Sequence, residues 1–286
     1  MNKYTCSTFH LNKFTAVFIL LMVSSKVYCF DVYTFVPWKY YLEKGELHQT
    51  KNLDDYLTQY GTKKAFVIYP KGMFTQDKPD PVKIEQAAKL SRKNSDALIS
   101  FDIEIGNKMK PETILPTVEK TLNLYHKNNG NNLVGVYGLL PQNTVGSNFK
   151  PSKYSKLNEK YANIASLTTV LSPVLYNYDG EDFEKWKISA DFAFEETKEY
   201  SNTHKIIPYL SPIYKVKRRT DNPKGFVIKQ LSESDMKKRL NYLKSLNADG
   251  VLIWESSQSI EFDKSQPIFN PYTGWGKAVI DTVKSR

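Results

Sequence analysis

From residue 31 onward, short apolar runs alternate with longer amphipathic stretches. Seven runs are expected to be strands: 31–36 (DVYTFV), 65–69 (AFVIY), 97–103 (ALISFDI), 133–138 (LVGVYG), 167–171 (LTTVL), 206–210 (IIPYL) and 251–255 (VLIWE). Most are apolar on consecutive rather than alternate positions, the pattern of strands buried on both faces in a parallel sheet covered by helices. Helices are expected between them. In 111–129, Ile114, Val118, Leu122 and Tyr125 form one apolar stripe, and in 182–200 Phe183, Trp186, Ala190 and Phe194 do the same. Ser232 and Asp235 resemble a capping box ahead of Met236, Leu240, Leu243 and Leu246, and Asn247 and Gly250 supply helix-stop chemistry. Strand–helix alternation of this length predicts α/β architecture. The strand count favours a parallel β/α barrel over an open sheet.

The first 29 residues do not belong to that pattern. Lys3 and Lys13 give a basic start, Phe14 to Val23 is an apolar run, and Ser24, Ser25 and Lys26 end it. The run is shorter than the roughly 20 residues a spanning helix needs. Residues 1–29 are therefore expected to be a signal peptide, with an uncleaved anchor as the alternative. Its removal from 286 residues leaves 257, residues 30–286, the size of a single barrel domain. Both cysteines, Cys6 and Cys29, go with it, so the remainder has no disulfide. The segment carries three lysines and no carboxylate, so the formal charge falls from +10 to +7. A basic balance suits a polyanionic polysaccharide, nucleic acid or an anionic membrane, and charge alone does not choose among them. His48, His126 and His204 show no paired metal-ligand spacing.

In a parallel barrel, chemistry sits at the carboxyl ends of the strands. The third run ends in Asp102-Ile103-Glu104. Residues i and i+2 of a strand share a face, so both carboxylates are expected to point into the barrel mouth. Neighbouring carboxylates resist double ionisation, so one keeps its proton near neutrality, as an acid catalyst of glycosidic cleavage must. The plain alternative is a loop-capping Asp102 beside a solvated Glu104. Tyr137, Tyr176, Tyr178, Tyr209, Tyr214 and Trp254 fall at or after other strand ends, and aromatic rings suit the apolar faces of sugars. Asp179 and Glu255 are further acids at the same end, each more simply a solvated or capping residue.

Several of these segments resemble the animal hyaluronidases, the group that includes insect-venom, sperm and lysosomal enzymes. Phe30-Asp31-Val32-Tyr33 with Val36-Pro37 resembles that family's first strand, and Ile68-Tyr69-Pro70-Lys71-Gly72-Met73-Phe74 its second-strand segment. Phe101-Asp102-Ile103-Glu104 resembles its catalytic D-x-E. Val136-Tyr137-Gly138 with Pro141, Ser172-Pro173-Val174-Leu175-Tyr176, Pro208-Tyr209 with Tyr214, and Ala248-Asp249-Gly250-Val251-Leu252-Ile253-Trp254-Glu255-Ser256-Ser257 follow in register. The resemblance implies a distorted parallel (β/α) TIM-like barrel of seven strands, a glycosidase with Glu104 as acid/base and Asp102 orienting it. The substrate's own N-acetyl group would be the nucleophile. Tyr176 and Tyr214 would hold the acetamido group, Trp254 would wall the sugar pocket, and Tyr69 would complete the substrate-binding set. The implied reaction is endo-β-N-acetylhexosaminidase cleavage of hyaluronan or a chondroitin-type chain by a secreted enzyme. Its expected partner is a glycosaminoglycan, not nucleic acid, with no metal, no cofactor and no stable membrane insertion after signal cleavage.

Three departures accompany the resemblance. Gly106 stands where the family has Trp in D-x-E-x-W with a basic residue nearby, the family's disulfides cannot form, and Glu255 replaces a small or apolar residue beside Trp254. Two other functions fit the residues: a non-catalytic polysaccharide-binding relative, and another barrel hydrolase such as a chitinase-like enzyme. A lysosomal location is the alternative to secretion.

Overall fold

The structure is a computed structural model that describes residues 30–130 and 133–285; the expected targeting segment, residues 1–29, lies outside the described residues. Five central strands are continuous: β1 (Asp31–Phe35), β2 (Lys63–Ile68), β3 (Leu98–Phe101), β4 (Val134–Val136) and β7 (Gly250–Trp254). The fifth strand, β5, comes in two pieces, Val170–Leu171 and Val174–Leu175, and so does the sixth, β6, Lys205–Ile206 and Tyr209–Leu210. Each break contains a proline, Pro173 or Pro208, which has no N–H for the ladder. Pairing continues across the breaks: Ile207 N donates to Leu171 O (3.0 Å) and Tyr209 N to Pro173 O (2.7 Å).

All seven strands are parallel, in the order β5-β6-β7-β1-β2-β3-β4. The ends of this sheet meet where Thr169 N donates to Val134 O (3.0 Å) and Val134 N to Thr169 Oγ1 (3.0 Å). The architecture is the α/β one that the alternation predicts, in the form of a distorted, TIM-like barrel. Around it run α1 (Leu53–Thr58), α2 (Pro81–Lys93), α3 (Leu115–Lys127), α4 (Pro151–Tyr161), α5 (Phe183–Thr197), α6 (Glu233–Ser245) and α7 (Gly274–Lys284). The apolar stripes of 111–129 and 182–200 fall on α3 and α5. Ser232 caps α6, its Oγ accepting from Asp235 N (3.1 Å).

Strand alternation separates two kinds of core. Tyr33, Ala65, Leu98, Val170, Val174 and Leu252 fill the barrel interior. Val32, Ile99, Phe101, Val136, Val251 and Ile253 face outward and pack under the helices. Further β structure stands outside the barrel. Tyr40–Glu43, Glu46–Gln49 and Ile268–Phe269 form a small sheet, and Ile213–Arg218 pairs with Phe226–Gln230 as an antiparallel hairpin after β6. Neither has a clear apolar signal in the sequence; the hairpin in particular is rich in lysine and arginine.

β1 and β7 approach closely at Gly250. A Cβ there would lie 2.3 Å from the carbonyl oxygen of Asp31, a backbone atom with little freedom to move. Gly250→Ala is expected to destabilise the fold by about 1–3 kcal/mol, the usual cost of overpacking. Urea denaturation checks this, and an unchanged midpoint would refute the β1–β7 register.

Candidate active site

The third strand sets the site. Leu98 faces the interior and Ser100 accepts a hydrogen bond from the Tyr209 hydroxyl (2.7 Å) across it. Ile99, Phe101 and Ile103 face outward, fully buried in the layer beneath the helices. The alternation persists beyond the last paired residue of β3, so Asp102 and Glu104 continue the inward series and both line the cleft at the carboxyl ends of the strands. Asp102 N still donates to Ile68 O (3.0 Å), which holds the segment to β2.

The cleft has a volume of about 560 Å³. Tyr69, Tyr137, Tyr176, Tyr209 and Trp254 wall it, and Lys224 and Ser256 to Gln258 line it as well. Trp254 stacks on Tyr176, with ring centroids 5.2 Å apart and planes 20° apart, and its Nε1 donates to the Tyr69 hydroxyl (3.1 Å). That bond joins the ends of β7 and β2 across the mouth. The tyrosines pack on one another, Tyr137 against Tyr209 at 5.0 Å and Tyr176 at 6.2 Å. Burial pushes the Tyr69 hydroxyl up to about 12, and the charges of Asp102, Glu104 and Glu255 add to this. Tyr69 therefore stays protonated, available as a neutral donor to a ligand.

The two carboxylates differ in setting. Asp102 is 8 % exposed, and its Oδ1 has no hydrogen-bond partner among the described residues. Burial pushes its pKa up to about 7, the Glu104 charge adds to the rise and Lys108 opposes it. Glu104 is exposed to the cleft. Alternation thus anticipates the pair, and the structure assigns the elevated pKa to Asp102.

Lys108 is a cation that strand patterning does not reveal, because it lies in a loop. Its Nζ donates to Tyr137 O (3.2 Å) and sits 4.8 Å from the Tyr137 ring centroid. Burial lowers its pKa while Asp102 and Glu104 push it back up. The loop that brings it there turns at Gly106, with φ +90°, where a Cβ would lie 2.6 Å from Thr113 O. Asn107 N donates to Thr113 Oγ1 (2.9 Å), and the Tyr161 hydroxyl donates to Lys108 O (2.8 Å). A tryptophan has no room at position 106.

Of the other residues singled out by sequence, Tyr214 does not reach the cleft. It is buried on the far side of the hairpin strand, its ring 5.6 Å from the Arg239 guanidinium. Strand alternation turns the next residue, Lys215, toward Tyr176 instead, 5.9 Å from its ring centroid. Arg239 is fully buried, lies 5.4 Å from the Trp186 ring and donates from Nε to Asn177 Oδ1 (2.8 Å). Asn177 Nδ2 in turn donates to Ser211 O (2.9 Å) and Ile213 O (2.8 Å), so Arg239 fixes the loop that carries Tyr176. Asp179 accepts from Ser147 N and Oγ (both 2.9 Å), the loop-capping role expected of it. Glu255 borders the cleft but is 1 % exposed, and its two oxygens accept from Ser211 Oγ (3.0 Å) and Ser259 Oγ (2.8 Å).

No protein-family model matches the sequence, and no curated protein matches it in sequence. The fold does match solved structures. Bee venom hyaluronidase superposes with a TM-score of 0.50 at 16% identity, over 80% of this chain and 91% of that one. Bee venom hyaluronidase in complex with a hyaluronic acid tetramer gives a TM-score of 0.53 at 15% identity, over the same shares of the two chains. The chain has a hyaluronidase-like barrel fold.

The buried Asp102 carries a stability signature. Its pKa is higher in the folded chain, about 7, than in the unfolded one, near 4. Between those values the folded state binds more protons, so stability falls as pH rises through this window and the full cost is present above it. Asp102→Asn is expected to be more stable than the parent at pH 8 and to lose that advantage toward pH 4. Thermal melts across that range check it, and a pH-independent difference would refute a desolvated Asp102.

Proposed function

We propose that the chain is a secreted glycoside hydrolase of the hyaluronidase type, an endo-β-N-acetylhexosaminidase that cleaves hyaluronan or a chondroitin-type chain with retention of configuration. The observation that carries this reading is the pair at the end of β3: a buried Asp102 with a raised pKa beside an exposed Glu104, in a cleft walled by Trp254, Tyr176 and Tyr69. The likeness to bee venom hyaluronidase, including its complex with a hyaluronic acid tetramer, supports it.

Glu104 is the member of the pair open to the cleft, so it is the one able to reach a glycosidic oxygen. In the proposed reaction it gives its proton to that oxygen as the bond breaks. The acetamido carbonyl oxygen of the same sugar attacks the anomeric carbon, and Glu104 then takes a proton from the water that opens the cyclic intermediate. Asp102, two residues away on the same face, orients Glu104 and shares the proton of the pair. Tyr176 and Tyr69 contribute hydroxyls, and Trp254 offers its ring to an apolar sugar face.

The accessibility of the other acids favours substrate assistance over inversion. An inverting enzyme needs a second carboxylate roughly 6.5–9.5 Å from the acid to activate water. Both oxygens of Glu255 are taken by serine hydroxyls and the side chain is almost wholly buried, while Asp179 is committed to Ser147.

Glu104→Gln is expected to lower turnover of hyaluronan by about 10²–10⁴-fold, the usual worth of general acid catalysis, with the fold unchanged. Wild-type turnover in this variant would sink the assignment. Proton NMR of the first product, before mutarotation, is expected to show the β-anomer. An initial α-anomer would rule out the acetamido nucleophile, and de-N-acetylated chains should resist cleavage for the same reason.

A further inference from the structure

The hairpin after β6 has a role that the catalytic pair does not explain. Residues 213–230 contain Lys215, Lys217, Arg218, Arg219, Lys224 and Lys229 against a single acid, Asp221. Arg219 pairs with Asp221 and Lys229 with Glu181. Among the described residues, no carboxylate lies within ion-pair distance of Lys215, Lys217, Arg218 or Lys224. All four are exposed.

The hairpin is held firmly against the cleft. Asn222 Nδ2 donates to Gln258 Oε1 (3.2 Å) and Arg219 donates from its guanidinium to Gln258 O (3.1 Å). The backbone at Gly225 approaches so closely that a Cβ would lie 2.5 Å from Gln258 O. Farther along, Ile260 N donates to Phe226 O (3.0 Å) and Ile228 N to Ile260 O (2.9 Å). Gln258 itself lines the cleft, so these ties bring Lys224 to its wall. Lys215 lies 4.5 Å from the Phe226 ring centroid and borders a pocket of about 100 Å³ shared with Tyr176, Tyr178 and Ser211.

The cleft is thus acidic at Asp102 and Glu104 and cationic along the hairpin. A polyanionic chain brought to the two carboxylates meets repulsion, which a fixed cationic wall offsets. A neutral glycan gains nothing from it.

We propose that the hairpin is a cationic subsite that holds an anionic group of the glycan, a uronate carboxylate or a sulfate ester, beside the sugar being cleaved, with Lys224 and Lys215 as specificity-determining side chains. This rests on reading the cleft as a glycosidase site. Because the ammonium groups act on charge and not on the reacting bond, they govern affinity for anionic chains.

The test is calorimetric titration of the full chain carrying Glu104→Gln, so that no substrate is consumed, with size-matched hyaluronan, chondroitin sulfate and chitin oligosaccharides at several salt concentrations. Adding Lys215→Met and Lys224→Met is expected to weaken binding of the anionic chains by roughly five- to twentyfold, as two exposed ion pairs would. It should also flatten their salt dependence and spare chitin oligosaccharides. Lys215→Arg with Lys224→Arg should restore both affinity and salt dependence. An equal loss on hyaluronan and chondroitin sulfate identifies the carboxylate as the bound group, and a larger loss on chondroitin sulfate the sulfate. No binding of either anionic chain, an unchanged affinity, or an equal loss on chitin oligosaccharides would overturn the proposal. Reducing-end release from hyaluronan by the unmodified chain separates the two readings. Its absence, with the lysine effect intact, removes the catalytic assignment and leaves the subsite standing.

Discussion

The arrangement depends on the outward burial of Ile99, Phe101 and Ile103. These three side chains lock alternate positions of one strand into the layer between barrel and helices. With the outward set fixed, the alternate positions 100, 102 and 104 turn to the barrel interior. Two of those positions are Asp102 and Glu104. A register slip of one residue would put three apolar side chains into the cleft and two carboxylates under the helices. The aim of the carboxylates is therefore set by hydrophobic burial, the dominant favourable term in folding, and not by any polar contact they make.

That aim places Asp102 under electrostatic tension. Its carboxylate is largely out of water, one oxygen lacks a partner among the described residues, and a second carboxylate is close by. Lys108 relieves part of the tension, and it arrives only because the chain turns sharply at Gly106. At Gly106 a close approach to the Thr113 carbonyl leaves no room for a large side chain. The loop's cation is delivered by a fold of the main chain and steadied by the Tyr137 carbonyl and the Tyr161 hydroxyl.

With no cysteine after residue 29, the rim of the barrel is cross-linked by other means. Trp254 and Tyr69 bridge two strand ends. Glu255 gathers Ser211 and Ser259, and Arg239 reaches through Asn177 to the carbonyls of Ser211 and Ile213. Buried charged groups are costly unless hydrogen-bonded. Here the hydrogen bonds they demand tie together the very loops that border the cleft.

The parallel strands were legible because strands buried on both faces leave uninterrupted apolar runs, and the Asp102–Glu104 pair was legible because a period of two is a local rule. Aromatic residues at strand ends were legible for the same reason, and Tyr69, Tyr176 and Trp254 do meet in one cleft. Tyr214 was not, since its strand belongs to a hairpin, and the pairing of Tyr214 with Lys229 and Lys215 with Ile228 decides which side faces Tyr176. Only long-range packing makes Asp102 the more desolvated carboxylate, stands Lys108 beside it, encloses Glu255 with serines and brings Lys224 to the cleft. Each of these depends on distances between segments far apart in the chain. Burial and charge proximity follow from how those segments pack, and no local pattern encodes that.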